Sequence, residues 1–351
     1  MEGSIQRVRD VINGRLPDRP PLFDLLRNDA VINHFTGKTL TVENAPEVVF
    51  AAYAPALDAT RQSVRLPKHE SSGKLADGRE YRDYRWTSWA ERVSYGDSEA
   101  YAAAKRRLLD SFDPAWNSQK QAKVDKWLAN VADVRRRLGE VFYFPSSRGV
   151  NLTATYHEVG IEQFSYYLAD CPDVIDGLLE MNTVIAEQWI GHVPDSHGVE
   201  AVFLPDDIAF KTAPFMSPQW FQRHYFPRLR RVVAAWHAKG AKVLFHSDGH
   251  LMPVLDQLVA TGIDGLNPIE IGAGMDVGEI HRQYPALWMA GGIDLAQLLP
   301  HGTPQQVAGV VRRTIEAAEG RIMIGSSAEL QDSVPLANFL AMRDAVLSCR
   351  Y

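Results

Sequence analysis

The stretch Ala241-Lys-Val-Leu-Phe-His246-Ser-Asp248-Gly-His250 is a short apolar run that ends abruptly in ionisable residues. Its first half has the β-branched and aromatic content of a buried strand, with glycine on both sides. Because side chains alternate along a strand, His246 and Asp248 should point to one side and Ser247 to the other. The sequence therefore predicts a strand end that presents a histidine beside a carboxylate. The alternative is a hydrogen-bonded core histidine followed by an aspartate that caps a helix from Leu251 to Thr261.

Apolar runs of this kind recur along the chain, and at least one helical pattern separates each successive pair. Eight such units predict an α/β protein of the (β/α)8 TIM-barrel type, in a single domain over residues 1–351. A doubly wound open sheet is disfavoured because Asp24-Leu-Leu-Arg27, after the first strand, contains no glycine for a phosphate turn. The predicted strands are residues 22–24, 56–60, 141–144, 200–204, 242–245, 262–267, 287–290 and 321–324.

Residues 62–138 break this rhythm, between the second and third predicted strands. Gly73 to Gly78, followed by alternating aromatic and charged residues, predicts a hairpin, and two polar helices follow at 97–112 and 114–138. No linker rich in proline, glycine or serine marks either end. We therefore interpret this segment as a lid-like insertion in the barrel rather than a separate domain.

Composition excludes several classes of protein. The chain has 351 residues and a formal net charge of −6. This charge gives no indication of a positively charged surface that would bind nucleic acid. Only two cysteines occur, without a CxxC motif, which excludes a disulfide framework and a cysteine-rich zinc site. The start of the chain lacks an apolar signal core, and no run is long enough for a membrane span. We expect a cytoplasmic protein.

Acidic residues follow most of the predicted strands, where catalytic groups of TIM barrels lie. Adjacent Asp206 and Asp207 could face a cleft, with a raised pKa or a bound cation. His246, Asp248 and Glu270 follow consecutive strands, so they could converge as ligands of a divalent metal or as an acid/base group. A hydrogen-bonded polar ring without metal is the alternative.

Further positions at the strand ends and in the insertion complete the predicted site. Asp24 is predicted as a catalytic group together with His246 and the two adjacent aspartates. For Trp86, predicted to contact substrate, the alternative is packing in the core or under the lid. The residues predicted to contact substrate are Arg27, Trp86, Arg148, Asn151, His250 and Ser327.

Several motifs resemble the uroporphyrinogen decarboxylase superfamily. They are Phe245-His-Ser-Asp-Gly-His, Gly262-Ile-Asp-Gly-Leu-Asn-Pro-Ile-Glu, Ala290-Gly-Gly-Ile-Asp-Leu and Gly325-Ser-Ser. The resemblance covers nearly the whole chain and implies a TIM barrel that is often a homodimer. The superfamily includes porphyrinogen decarboxylases, zinc methyltransferases that take methyl groups from corrinoid proteins, and methyltransferases that use tetrahydrofolate.

Two departures from the family patterns narrow the expected function. The Arg-Gln-Ala-Gly-Arg stretch of true uroporphyrinogen decarboxylases is replaced here by Phe23-Asp24-Leu-Leu-Arg27-Asn28. The zinc methyltransferases have His-x-Cys on the central strand, whereas this chain has His246 and Asp248, so a soft thiolate site is lost.

The expected function is therefore transfer or removal of a methyl group on a small methylated or methoxylated compound. The cofactor expected for this function is a divalent metal such as zinc. The resemblance implies a corrinoid protein or tetrahydrofolate as the methyl carrier. One alternative is a decarboxylase for a carboxylated substrate such as a porphyrinogen, with Asp24 or Asp207 as proton donor. The other is a non-catalytic barrel that binds a small molecule or tetrapyrrole.

Overall fold

The computed structural model describes residues 3–62 and 64–350. Within them, eight parallel strand segments follow one another around a barrel, and helices pack on the outside. We number these segments β1 to β8 in chain order. They are residues 22–23, Ala59–Arg61, Phe142–Phe144, Ala201–Pro205, Lys242–His246, Gly265–Asn267, Trp288–Ile293 and Ile322–Ser326.

Closure of the barrel runs through its shortest strand. β1 bridges to β8 through Leu22 and Ile324 and to β2 through Phe23 and Ala59. The Phe23 N–H donates to the Ile324 carbonyl oxygen at 2.8 Å. β2 pairs with β3, β3 meets β4 through a bridge between Ser146 and Phe203, and β4 to β8 form one continuous parallel sheet. The predicted α/β barrel is therefore confirmed, and each of the eight predicted strands overlaps an observed one.

Side chains from all sides of the barrel fill its interior, as the layered packing of this architecture requires. Buried interior residues include Phe23, Phe144, Phe203, Leu244 and Trp288. The first helix, Ser4–Ile12, packs Val8 and Val11 against the same cluster and so covers the amino-terminal end of the barrel.

Helices account for most of the remaining chain. The predicted helix over 151–169 is two helices, because Gly160 interrupts it with a φ of 87°. None of the helices in the described ranges is long and apolar enough to cross a bilayer. The helical segments are Ser4–Ile12, Asp29–Thr36, Ala45–Ala56, Ser98–Asp110, Ser118–Leu138, Leu152–Val159, Ile161–Asp170, Pro172–Gly191, Pro218–Trp220, Phe221–Tyr225, Phe226–Ala238, Met252–Val254, Leu255–Val259, Ile271–Ala273, Val277–Gln283, Leu298–His301, Pro304–Ala317 and Leu336–Ser348.

The chain between β2 and β3 adds a small antiparallel sheet of the strands Ser71–Lys74, Glu80–Asp83 and Ser88–Ala90, followed by two helices. Few side chains of this sheet are buried. Its link to the barrel is polar: the guanidinium of Arg85 and the indole N–H of Trp86 both bind the carboxylate of Asp29. A sheet with so little apolar burial should separate from the barrel more easily than the barrel strands separate from each other.

A buried carboxylate joins the amino-terminal segment to the base of the barrel. Asp58, just before β2, is 2 % exposed and forms ion pairs with Arg19 at 2.7 Å and Arg7 at 3.3 Å. It also accepts hydrogen bonds from the Ser4 hydroxyl and the Leu22 N–H. Both arginines are buried as well, so removal of the carboxylate would leave their charges without this compensation.

We expect Asp58→Ala to lower the free energy of unfolding by about 3–5 kcal/mol, because buried cations lose their carboxylate partner. The control is Glu200→Ala, which breaks an ion pair with Arg9 whose side chains are 45 % and 39 % exposed. That change should cost about 1 kcal/mol or less. Urea unfolding followed by circular dichroism measures both, and equal losses would contradict a structural role for the buried cluster.

Candidate metal centre at the carboxyl ends of the strands

Three side chains meet where β4 and β5 end: Asp207, His246 and Asp248. One ligand atom from each lies within 4.8 Å of the others. Nε2 of His246 is 3.7 Å from Asp207 Oδ1 and 3.8 Å from Asp248 Oδ1. The register brings these residues together, because Pro205 lies opposite His246 in the β4–β5 pairing. As predicted, His246 and Asp248 share a side, and Ser247 turns away to accept the Ile208 N–H.

A neighbouring asparagine determines which nitrogen of His246 faces the carboxylates. Nδ1 of His246 lies 2.8 Å from Oδ1 of Asn267, while Nδ2 of Asn267 donates to the Ala290 carbonyl at 2.9 Å. With its amide oriented by that second bond, Asn267 offers an acceptor to the imidazole. The hydrogen of the neutral ring therefore sits on Nδ1, and the lone pair on Nε2 faces Asp207 and Asp248.

The charge state of His246 follows from its surroundings. Its pKa is lowered to about 4, chiefly by burial. The Arg61 guanidinium also lowers the pKa, and this effect is larger than the opposite effect of the Asp207 carboxylate. The imidazole is thus neutral at neutral pH. A neutral imidazole with one N–H bound to an acceptor and the other nitrogen free is the form that binds metals in proteins.

Asp248 supplies an oxygen without a protein partner. Its Oδ1 is buried and accepts no hydrogen bond from the described part of the chain, although the carboxylate as a whole is only half-buried. Burial and the nearby carboxylates of Asp207 and Glu270 raise its pKa to about 7. Buried oxygens without partners require an explanation, and a cation is one that also explains the clustering of acids. The donor set thus fits a divalent metal.

Arg61 lies beside this cluster and was not predicted from the sequence. Its side chain is 1 % exposed, and its guanidinium lies 4.7 Å from the centre of the Phe203 ring. Nη2 donates to the Ala328 carbonyl at 2.6 Å, whereas Nε has no partner among the described residues. The Phe203 ring in turn lies 5.1 Å from the imidazole of His246. Arg61 therefore places a buried positive charge next to the candidate metal ligands.

Two predicted catalytic aspartates accept several hydrogen bonds from the protein. Asp206 is buried and accepts hydrogen bonds from the Leu152 and Thr153 N–H groups and the Tyr225 hydroxyl. Asp24 is equally buried. It accepts bonds from the N–H and hydroxyl of Ser326 and from the Leu25 and Leu330 N–H groups. With their oxygens occupied by donors, both carboxylates hold loops in place and are not available to a substrate.

Glu270 is the third predicted metal ligand, and its carboxylate binds a backbone N–H. It lies outside the three-residue group, and its Oε2 accepts the Gly249 N–H at 2.7 Å. The reason is that β6 ends at Asn267, three residues earlier, so Glu270 belongs to the following loop. Asp207, two residues after the end of β4, completes the three-residue group instead.

Three predicted substrate contacts have local backbone roles. Nδ1 of His250 lies 2.8 Å from the Ala273 carbonyl oxygen, and the Ser327 hydroxyl accepts the Leu295 N–H at 3.1 Å. Asn151 has a φ of 59° and begins the helix that supports Asp206. None of the three belongs to the group of potential metal ligands.

Arg27 and Trp86 share a cavity of about 510 Å³ between the barrel and the inserted sheet. Arg27 pairs with Glu329 beside it, and Arg65 and Lys68 add positive charge to the lining. Arg148 lines a different cavity, together with Trp116 and Trp189. The structure therefore brings Arg27 and Trp86 together and separates Arg148 from them.

Comparisons with known proteins identify one family and two similar solved structures. Residues 123–348 match the family model described as Uroporphyrinogen decarboxylase (URO-D). The solved structure of a methyltransferase from Methanosarcina mazei is similar over 98% of both chains, with 15% identity and a TM-score of 0.69. A B12-independent methionine synthase from Shewanella sp. W3-18-1, in complex with selenomethionine, matches over 94% of this chain and 100% of its own, with 12% identity and a TM-score of 0.45. A search of curated proteins found no match.

The bond between Asn267 and His246 leads to a prediction about metal affinity. Asn267→Leu removes the acceptor that fixes the imidazole, so the affinity for Zn²⁺ should fall about 10–100-fold. Competition with a chelating dye measures the dissociation constant. Asn338→Leu is the matched control, because Asn338 is also buried and binds two backbone carbonyls far along the chain from this cluster. An unchanged Zn²⁺ affinity in Asn267→Leu would show that the asparagine does not orient the ligand.

The raised pKa of Asp248 leads to a prediction about stability in metal-free protein. Its folded-state pKa of about 7 exceeds the unfolded value of about 3.9, so the folded state loses stability as pH rises between these values. Asp248→Asn cannot ionise and escapes this loss. Urea unfolding with a chelator present should therefore show the variant gaining stability relative to wild type between about pH 5 and about pH 8. A difference that stays constant with pH would refute the assigned shift.

Proposed function

This chain belongs to the uroporphyrinogen decarboxylase family, and from that membership we propose that it is a methyltransferase or demethylase for a small methylated or methoxylated compound. The observation that carries the proposal is the free Nε2 of a neutral, buried His246 beside Asp207 and Asp248. Such a set holds a divalent metal and leaves positions open for a substrate atom. The name of the Methanosarcina mazei structure, a methyltransferase, supports the same reaction class.

The three donors fit zinc or a similar divalent ion, which accepts imidazole nitrogen and carboxylate oxygen. A bound ion would act as a Lewis acid on the heteroatom that carries or receives the methyl group. Asn267 holds the imidazole in the required tautomer. The backbone of Asp207 is fixed by Thr153, whose hydroxyl accepts its N–H at 2.6 Å, and by Tyr156, whose hydroxyl donates to its carbonyl at 3.3 Å. The chain thus orients the donors before an ion arrives.

The cavity that contains Arg27 and Trp86 is the proposed entry for the substrate. It lies between the inserted sheet and the barrel, and its lining of arginine, lysine and tryptophan suits a compound with a negative charge and a flat face. We propose that residues 62–138 act as a lid over it. The three-stranded sheet would be the part that moves, because its strands bury no side chain, whereas the two following helices bury Tyr101, Val124 and Val131 in the main core and would stay in place.

Methyl transfer also needs a carrier, which we propose is a corrinoid protein or tetrahydrofolate. The methyl group leaves the substrate heteroatom without the bonding electron pair, and the carrier donates the pair that forms the new bond. The heteroatom keeps its pair and takes up a proton. With a metal bound, Asp248 would be an ionised ligand, so the proton would come from water.

Decarboxylation is the second candidate, and one observation favours it. Arg61 is a buried cation without a carboxylate within ion-pair distance in the described part of the chain, and it lies near Asp248. A cation beside a proton donor suits a reaction in which CO₂ leaves and the remaining carbon takes a proton. The donor in this version is Asp248, because both oxygens of Asp24 already accept hydrogen bonds from the protein.

We expect His246→Ala to abolish both bound metal and methyl transfer while the barrel stays folded, because His246 lies at the strand end above the core. The matched control is His250→Ala, since this neighbouring histidine lies outside the ligand group and should leave the metal content unchanged. Elemental analysis after loading with Zn²⁺ gives the metal content. Methyl transfer is assayed with methanol, methylated amines or methoxylated arenes as donors and reduced cobalamin or tetrahydrofolate as acceptors.

The other outcomes of this experiment identify the other functions. Loss of activity with full metal content would make His246 an acid/base group. Release of CO₂ from a carboxylated compound, without methyl transfer, would favour the decarboxylase. Full activity with only a lower melting temperature would show that His246 is part of the scaffold and that the proposed centre is wrong.

A further inference from the structure

A cavity of about 260 Å³ lies beside β3, between the start of the helix Ser118–Leu138 and the helix Pro172–Gly191. None of the three candidate metal ligands lines it. Its walls combine aromatic rings with cations, which are Phe112, Trp116, Trp189, Lys120, Lys123 and Arg148.

Arg148 is the central charge of the cavity. Its guanidinium lies 5.9 Å from the centre of the Trp189 ring, and burial lowers its pKa. In residues 3–62 and 64–350, no carboxylate lies within ion-pair distance of it and no acceptor receives a hydrogen bond from it. None of its nitrogens is among the fully buried polar atoms without a partner, so all five donors are open to an acceptor that enters the cavity. Its planar fork matches a carboxylate in geometry.

The other charges of the lining leave an excess of positive charge. Nζ of Lys120 binds the carbonyl oxygens of Asp113 and Ala115, at 2.7 Å and 2.5 Å, and these acceptors are neutral. Lys123 is exposed. Asp113 is the one carboxylate that lines the cavity in the described chain, and its Oδ1 accepts the Ala115 N–H. Three cations face one acid, so the cavity attracts an anion.

The rings of the cavity add a preference for a flat ligand. The Trp116 ring stacks on His192, with centroids 3.8 Å apart and an angle of 6° between the planes. A ligand ring would therefore use the opposite face of Trp116. Trp189 is 4 % exposed and is held among Trp127 and Trp236. Rigid aromatic walls of this kind favour stacking with another ring.

We propose that this cavity is a second ligand site, which binds a small aromatic carboxylate. The carboxylate pairs with the Arg148 guanidinium, with Lys120 and Lys123 nearby, and the ring stacks against Trp116. The volume suits a single ring with its acid group, which is smaller than the drug-sized ligands of larger pockets. The proposal does not depend on the reaction at the metal centre, because the two sets of residues are separate.

Calorimetric titration with benzoate tests the proposal. The protein is the His246→Ala variant treated with a chelator, so that a carboxylate cannot be bound by a metal at the strand ends. We expect saturable binding that includes one site lost on substitution of Arg148, whereas any benzoate in the cavity of Arg27 and Trp86 would remain in that variant. Benzamide has the same shape without the charge, while cyclohexanecarboxylate and inorganic phosphate have a charge without an aromatic ring. All three should bind more weakly than benzoate.

Two substitutions assign the binding to the cavity. Arg148→Met keeps the length of the side chain but removes its charge, and it should weaken benzoate about ten-fold or more. Lys126→Met is the matched control, because Lys126 is exposed on the same helix as Lys120 and does not line the cavity. Should Arg148→Met prove unstable by circular dichroism, Trp116→Leu replaces it with the same expected loss.

Several results would overturn the proposal. One is the absence of saturable benzoate binding, and another is unchanged affinity in both Arg148→Met and Trp116→Leu. Benzamide that binds as tightly as benzoate would exclude the role of charge. Phosphate or cyclohexanecarboxylate that binds as tightly would exclude the role of the ring. Loss of metal binding at the strand ends in His246→Ala affects none of these readouts, so the two proposals fail separately.

Discussion

Closure of the barrel at β1 is the contact on which the rest of the structure depends. β1 has only two residues, with one bridge to each neighbour, and the Asp24 carboxylate reinforces the seam by accepting the N–H and hydroxyl of Ser326. The seam is close: a Cβ at Gly325 would lie 1.7 Å from the Phe23 carbonyl oxygen, so this position tolerates only glycine. The strand ends form one ring around the mouth because this seam closes.

Electrostatics link that ring to its chemistry. Asp207, Asp248, Glu270 and Glu329 bring four carboxylates to the mouth, and Arg27 pairs directly with Glu329. Because Arg61 and burial keep His246 neutral, the remaining acids are not balanced by the imidazole. Burial, together with the neighbouring acids, raises the pKa of Asp248. A divalent cation would balance these acids, so the arrangement that is unfavourable in the metal-free protein is the one that favours binding a metal.

The sequence predicts the barrel well because its strands are buried on both faces and therefore stand out as short apolar runs between helices. It also predicts that His246 and Asp248 share a side, since their spacing matches the period of a strand. It cannot decide which of Asp206 and Asp207 faces the mouth, because that depends on where β4 ends. The sequence also cannot show that Asn267, rather than Glu270, contacts His246. That contact follows from the pairing of His246 with Asn267 across β5 and β6. Arg61 follows a weak strand pattern, and a fully buried arginine is rare enough that composition gives no reason to expect one.

The ligand types also constrain the chemistry that the centre can perform. A cysteine at position 248 would give a soft thiolate donor, whereas Asp248 gives a hard oxygen whose pKa of about 7 makes protons compete with the metal near neutral pH. An ion held by one imidazole and two carboxylates keeps more of its positive charge than one held by thiolates. Such an ion binds oxygen and nitrogen atoms in preference to sulfur. With a metal bound as proposed, a methoxyl, hydroxyl or amine group would therefore suit this centre better than a thiol, and Asp248 in place of a thiolate would change the range of substrates as well as the affinity for the metal.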